Sequence, residues 1–155
     1  MYPDSFQDKY VIDFGSMDIN GNNRYLFKDC SYIGVDLGVG KNVSDISKAH
    51  EYIPLEPPDT VISTEMLEHD VHWKDSVTHM LNVMKCGGLL VITCATDGRG
   101  EHGTHEAHPS SSPYTQDYYH NVTLIEFREM LKPEFFIDYS LCKVGTDLQF
   151  YGIKK

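Results

Sequence analysis

The stretch from Tyr10 to Gly21, Y-V-I-D-F-G-S-M-D-I-N-G, decides the fold. Tyr10-Val11-Ile12 is apolar and rich in β-branched residues, the composition of a buried strand. Asp13-Phe14-Gly15 closes the run, and Ser16, Asp18, Asn20 and Gly21 form a polar turn. Asn22 to Lys28 follows and is expected to wind as a short helix. A strand, a glycine-bearing turn and a helix make the first half of a nucleotide-binding βαβ unit, where glycine lets the backbone approach a ligand closely. The second strand, Ser31-Tyr32-Ile33-Gly34-Val35-Asp36, ends on an acidic residue twenty-one positions after Gly15. That is the distance at which such a residue holds ribose hydroxyls.

The turn departs from a dinucleotide fingerprint. Of the three glycines in G-x-G-x-x-G, only Gly15 and Gly21 remain. Asp13, two residues before Gly15, would repel a pyrophosphate and suits a ligand carrying a cationic amino group.

Working outward, Val43 to Ile46 reads as a short third strand and Ser47 to Tyr52 as a brief helical or loop segment. Pro54, Pro57 and Pro58 bar a helix before the fourth strand, Thr60 to Ser63. Trp73, Val77, Met80, Leu81 and Met84 recur at helical spacing and predict a helix from Trp73 to Lys85 with a buried stripe. Cys86-Gly87-Gly88 is read as its stop. Leu89 to Cys94 is a continuous apolar run suited to the centre of a parallel sheet. Thr123 and Glu126 have capping-box spacing ahead of a helix reaching Leu131. Phe135 to Leu141 and Leu148 to Ile153 are the last strands, paired antiparallel across Gly145-Thr146-Asp147. Residues 97–121 hold four of the eight histidines (His102, His105, His108 and His120) in a long loop, the kind that usually serves an active site.

Four blocks together resemble the class I S-adenosylmethionine-dependent methyltransferases: Val11 to Gly15, Tyr32 to Asp36, Asp59 to His69, and Met84 to Ile92. The resemblance covers nearly the whole chain in the family's order. It implies an α/β, Rossmann-like, doubly wound and mostly parallel seven-stranded sheet whose last strand is antiparallel, in a single domain spanning residues 1–155. The cofactor it implies is S-adenosylmethionine, whose ammonium matches Asp13 and whose ribose would use Asp36. Carried over, Asp13, Gly15, Ser16 and Met17 would lie against the methionine part, and Leu37 would cover adenine. Ala49 and His50 would sit near the adenine edge, and Thr64 near the methionine ammonium. The family's amino-terminal helix has only residues 1–9 to correspond to it, which leaves the roof of the site to the histidine-rich loop or to a second subunit of a homodimer.

Glu65-x-x-Glu68-His69 follows the fourth strand, at the sheet edge where ligands bind. Similar E-x-x-E-H arrangements occur in ubiquinone-pathway O-methyltransferases and in RNA 3′-end 2′-O-methyltransferases, where a later histidine completes a metal site. Two readings stay open. Glu65, Glu68, His69 and a loop histidine, His102 or else His105 or His108, would hold a divalent cation such as Mg²⁺ or Mn²⁺. Alternatively, His69 would be a general base at its ordinary pKa of about 6.5, assisted by Glu65.

The acceptor expected from these features is a small hydroxyl- or amine-bearing molecule. The alternatives are a Rossmann-like module that binds a nucleoside or partner without catalysis, and a metal-dependent RNA 2′-O-methyltransferase. A net charge of −10 and the absence of a basic run argue against nucleic acid and anionic membranes. No apolar run reaches the roughly 20 residues of a membrane span, and the polar start and scattered Cys30, Cys86, Cys94 and Cys142 point to a cytoplasmic protein with reduced thiols.

Overall fold

The computed structural model describes residues 2–115 and 117–155. One seven-stranded sheet organises them, in the order β3-β2-β1-β4-β5-β7-β6. Its strands are β1 (Tyr10–Phe14), β2 (Ser31–Asp36), β3 (Asp45–Ile46), β4 (Thr60–Thr64), β5 (Leu89–Ala95), β6 (Phe136–Val144) and β7 (Asp147–Lys154). β1, β2, β3, β4 and β5 pair in parallel. β7 runs antiparallel to both β5 and β6. This is the topology that the resemblance implies, including the antiparallel last strand.

The two faces of the sheet follow from alternation along each strand. Ile12, Phe14, Val61, Leu90 and Ile92 point to one side and form the larger core with α1 (Trp73–Val83) and α2 (Leu124–Met130). Trp73, Val77, Met80 and Met84 are buried there, as the periodicity of α1 requires. Val11, Tyr32 and Ile62 point to the other side and pack against Phe27 and Cys30.

Two local expectations are corrected. Residues 22–28 do not wind into a helix beyond a single 3-10 turn, Arg24–Leu26. Lys28 instead bridges to Gln7 and donates its amide to the Phe6 carbonyl, and Phe27 stacks on Phe6 at 5.0 Å. Those contacts keep the segment extended and use it to cover the smaller core. α1 ends at Val83, before the glycines, because Met84 is already extended. Lys154 at the end of β7 satisfies the helix terminus, donating to the carbonyls of Leu81 and Met84 at 2.8 Å each. Gly87, with φ of 78°, turns the chain into β5.

Among the described residues, no helix is long and apolar enough to cross a membrane. The capping box of α2 is fully formed. Thr123 Oγ1 accepts the Glu126 amide at 3.2 Å, and Glu126 Oε2 accepts the Thr123 amide at 2.9 Å. Thr123→Ala is therefore expected to cost about 1 kcal/mol in chemical denaturation, and Thr123→Ser to recover most of it.

Candidate active site

The carboxyl ends of β1, β2 and β4 open into a cavity of about 750 Å³, a size that suits a small-molecule ligand. The turn after β1 is laced onto β2. The amides of Gly15 and Ser16 both donate to the Val35 carbonyl, at 2.9 and 3.2 Å, and the Met17 amide donates to Asp36 Oδ2 at 2.9 Å. Gly15 has φ of 77°, and a Cβ there would lie 2.5 Å from Met66 Cβ. Only glycine fits that cradle.

The structure gathers Asp13, Gly15, Ser16, Met17, Asp36, Leu37, Ala49, His50 and Thr64 around this one cavity. Asp13 is 2% exposed; its Oδ2 accepts the Tyr32 hydroxyl at 2.5 Å, and its Oδ1 is buried without a partner. Burial pushes the Asp13 pKa up to about 7. Asp36 accepts from the Met17 and Leu37 amides at 2.9 and 2.7 Å, and each oxygen keeps a further lone pair for a hydroxyl. Burial raises its pKa too, against those two amides. His50 has a buried, unpartnered Nδ1 and lies 4.6 Å from the His72 ring, centroid to centroid. Thr64 Oγ1 accepts from Asn23 Nδ2 at 3.0 Å.

Beyond β4 the chain enters a 3-10 turn, Leu67–His69, whose three residues are all buried. Glu68, His69 and His102 each bring a donor atom within 4.8 Å of the others. Glu68 Oε1 accepts the Ala95 amide at 3.2 Å, while Glu68 Oε2 and His69 Nδ1 are buried without partners. Burial, with the neighbouring Glu65, raises the Glu68 pKa. Burial and the nearby His102 lower His69 to about 4, so its imidazole is neutral and weakly basic at neutral pH. It does not keep the ordinary value expected of a general base.

Glu65 stands outside that group of three. It takes φ of 54°, its amide stays on the Thr93 carbonyl at 2.8 Å, and its carboxylate turns along β5. There it accepts from Thr93 Oγ1 and from Arg99, each at 2.9 Å. Arg99, which reaches Asp147 at 3.1 Å with its other nitrogen, is a cavity residue that the motifs did not indicate.

Residues 111–115 of the long loop also line the cavity, and the Tyr114 ring approaches Gly38, where an added Cβ would meet it at 2.4 Å. Further along, His69, His102 and Tyr119 pack edge to face, with centroids 4.8 to 5.6 Å apart. Gly103, with φ of 74°, permits this approach, since its Cβ would lie 2.7 Å from the His69 ring. His120, ahead of α2, turns instead to that helix and meets Glu126 at 3.1 Å.

No protein-family model matches the sequence, and no curated protein matches it. Solved structures do. A 1,6-didemethyltoxoflavin-N1-methyltransferase of Burkholderia thailandensis, holding its namesake compound and S-adenosylhomocysteine, aligns with a TM-score of 0.68 over 99% of this chain and 74% of its own, at 16% identity. A phosphoethanolamine N-methyltransferase of Haemonchus contortus, in complex with S-adenosylmethionine, aligns at 0.63 over 89% of this chain and 35% of its own, at 22% identity. The N-methyltransferase NodS of Bradyrhizobium japonicum aligns at 0.61 over 97% of this chain and 88% of its own, at 12% identity. The chain has the methyltransferase fold. It spans about a third of the length of the Haemonchus protein.

Within this methyltransferase fold, Asp13 costs stability when it ionises. Its unfolded pKa is near 3.8 and its folded pKa near 7, so the folded state retains a proton that the unfolded state releases between those values. The penalty is absent below about pH 4, grows to pH 7 and is constant above. The melting temperature of Asp13→Asn relative to the wild type is expected to rise over that window and then level off.

Proposed function

We propose that the chain is an S-adenosylmethionine-dependent methyltransferase acting on a small hydroxyl- or amine-bearing acceptor. One observation carries the reading: Asp13 Oδ1, a buried carboxylate oxygen without a partner, and Asp36 stand at the ends of adjacent strands in one cavity. A ligand presenting both an ammonium and a ribose diol answers both. The glycine cradle at Gly15 lets the methionine part approach the backbone. The complexes of the Burkholderia and Haemonchus proteins support the same choice of cofactor. Bound here, that cofactor supplies an electrophilic methyl group for in-line displacement.

The residues of this chain would contribute placement and exclusion of water. Asp36, Leu37 and His50 would fix the adenosine, and Asp13 and Thr64 the amino-acid end. The acceptor would enter at the other end of the cavity, beside His69, His102 and Arg99. Residues 111–115 would cover the bound ligand, and this with the net charge of −10 favours a small molecule over RNA. Four free cysteines suit a reducing, cytoplasmic setting. S-adenosylhomocysteine is expected to bind the wild type in titration calorimetry, with at least about tenfold loss in Asp36→Ala from two missing hydrogen bonds. Absence of wild-type binding at high micromolar concentration overturns the reading.

A divalent cation is a second element of the proposal, favoured by the unpartnered Glu68 Oε2 and His69 Nδ1. Glu68, His69 and His102 would hold it, without Glu65. Ligand atoms about 2.0–2.2 Å from a metal lie at most about 4.4 Å apart, so the group needs only a small contraction. The ion would polarise an acceptor hydroxyl, a task for which an imidazole with its pKa near 4 is a poor base. Chelation is expected to abolish methyl transfer and Mg²⁺ or Mn²⁺ to restore it, with His102→Ala needing more ion. Transfer that survives exhaustive chelation excludes the cation.

A further inference from the structure

Tyr32 opens one of the four blocks, yet the resemblance gives its hydroxyl no role at the site; that hydroxyl meets the cavity residue Asp13. Parallel pairing sets Val11 opposite Tyr32 and Asp13 opposite Gly34. Tyr32 and Asp13 therefore share one face of the sheet as diagonal neighbours. Gly34 puts no side chain between them, and none could be accommodated: a Cβ there would lie 2.1 Å from the Asn42 carbonyl oxygen and 2.5 Å from Ser16 Oγ. Across that gap the Tyr32 hydroxyl donates to Asp13 Oδ2 at 2.5 Å. The Arg24 guanidinium lies over the ring, 4.5 Å from its centroid, and the Phe27 ring packs against it at 5.4 Å. Tyr32 is 8% exposed, so it reaches the cavity only through Asp13.

A carboxyl group rotates about one bond, and a donor on one oxygen decides where the other points. Here the other, Oδ1, is buried with no donor, an arrangement that costs free energy unless a ligand supplies one. We propose that Tyr32 is a positioning residue for the ammonium of the cofactor: it occupies one oxygen of Asp13 and presents the second to the cavity as the cation's acceptor. This rests on the methyltransferase reading above.

Tyr32 has a second effect on the same carboxylate. Burial and the negative charge of Asp36 on β2 favour protonated Asp13, while the Tyr32 hydrogen bond and Arg24, from the turn before β2, favour the ionised form. The other neighbouring strand, β4, places Val61, Ile62 and Ser63 alongside, none of them titratable. Removing the hydroxyl thus both releases the carboxyl rotor and moves its ionisation to higher pH.

Two probes separate this role from general damage. S-adenosylhomocysteine carries the amino-acid end; 5′-methylthioadenosine shares the adenosine and thioether and lacks it. Calorimetry from pH 6 to 8 is expected to show Tyr32→Phe weakening S-adenosylhomocysteine by about tenfold at pH 7, the worth of one hydrogen bond to a charged group. Methylthioadenosine should stay within about twofold, inside the scatter of a surface change. The acidic limb of the S-adenosylhomocysteine profile should shift to higher pH. Asp13→Asn, which keeps an acceptor for Tyr32 and loses the charge, should flatten that limb and abolish the preference for the amino-acid compound. If Tyr32→Phe weakens both compounds equally, or leaves both affinities and the profile unchanged, the positioning role is overturned. A wild type that binds neither compound overturns the methyltransferase reading, and this inference falls with it.

Discussion

The lacing of the first turn onto the end of β2 is the constraint on which the site depends. Three successive amides, from Gly15, Ser16 and Met17, terminate on Val35 and Asp36. They extend the β1–β2 pairing, whose last register pair is Phe14 with Val35, past the end of β1. The turn therefore has no freedom to close over the strand ends, and the cavity exists because the backbone is held back from it. Asn42 secures the outer side, donating to the Ser16 carbonyl at 2.9 Å and accepting from Arg24 Nε at 2.9 Å. Its φ of 71° is the cost of reaching both.

The site is built against stability. Asp13 and Glu68 lose solvation on folding and are left with one unsatisfied oxygen each. Such groups destabilise by more than a typical hydrogen bond contributes. They are tolerable because the surrounding sheet is secured elsewhere, by a core in which Ile12, Phe14, Val61, Leu90 and Ile92 are wholly buried. Core and pocket draw on the same strands: on β1 the wholly buried Ile12 and Phe14 flank Asp13, their side chains on the opposite face of the sheet.

The fold was legible because its signals are local and repeated. The apolar runs of β1, β2, β4 and β5, the stripe of α1 and the Thr123–Glu126 spacing each specify one element, and their order specifies the sheet. The residues that share the cavity were legible only where they sit on or beside those elements, as Asp13, Gly15 and Asp36 do. Glu65 shows the limit. Its spacing from Glu68 and His69 suggests one cluster, but a left-handed φ at position 65 and the arrival of Arg99 from a distant loop turn it away. The Tyr32–Asp13 hydrogen bond was hidden for a different reason: it needs the β1–β2 register and the empty place at Gly34, both tertiary facts. The long loop gave its position and not its conformation, since the approach of His102 to His69 depends on packing between residues 33 positions apart.

The electrostatics of the cavity discriminate among nucleotides more sharply than its glycines do. A pyrophosphate needs donors and positive charge at the first turn. Here the basic groups around the cavity are committed: Lys41 to Asp18 at 2.7 Å, Lys48 to Glu51 at 2.9 Å, Arg99 to Glu65 and Asp147, and Arg24 to Asn42 and the Tyr32 carbonyl. The amides that would cradle a phosphate are spent on Val35 and Asp36. At the first turn the carboxylate oxygen Asp13 Oδ1 stays uncommitted. An anionic dinucleotide would bring its charge to a buried carboxylate with no compensating cation. On the proposed reading, a ligand with an ammonium beside an adenosine would meet the opposite sign at the same place, and the residues that disfavour the one would favour the other.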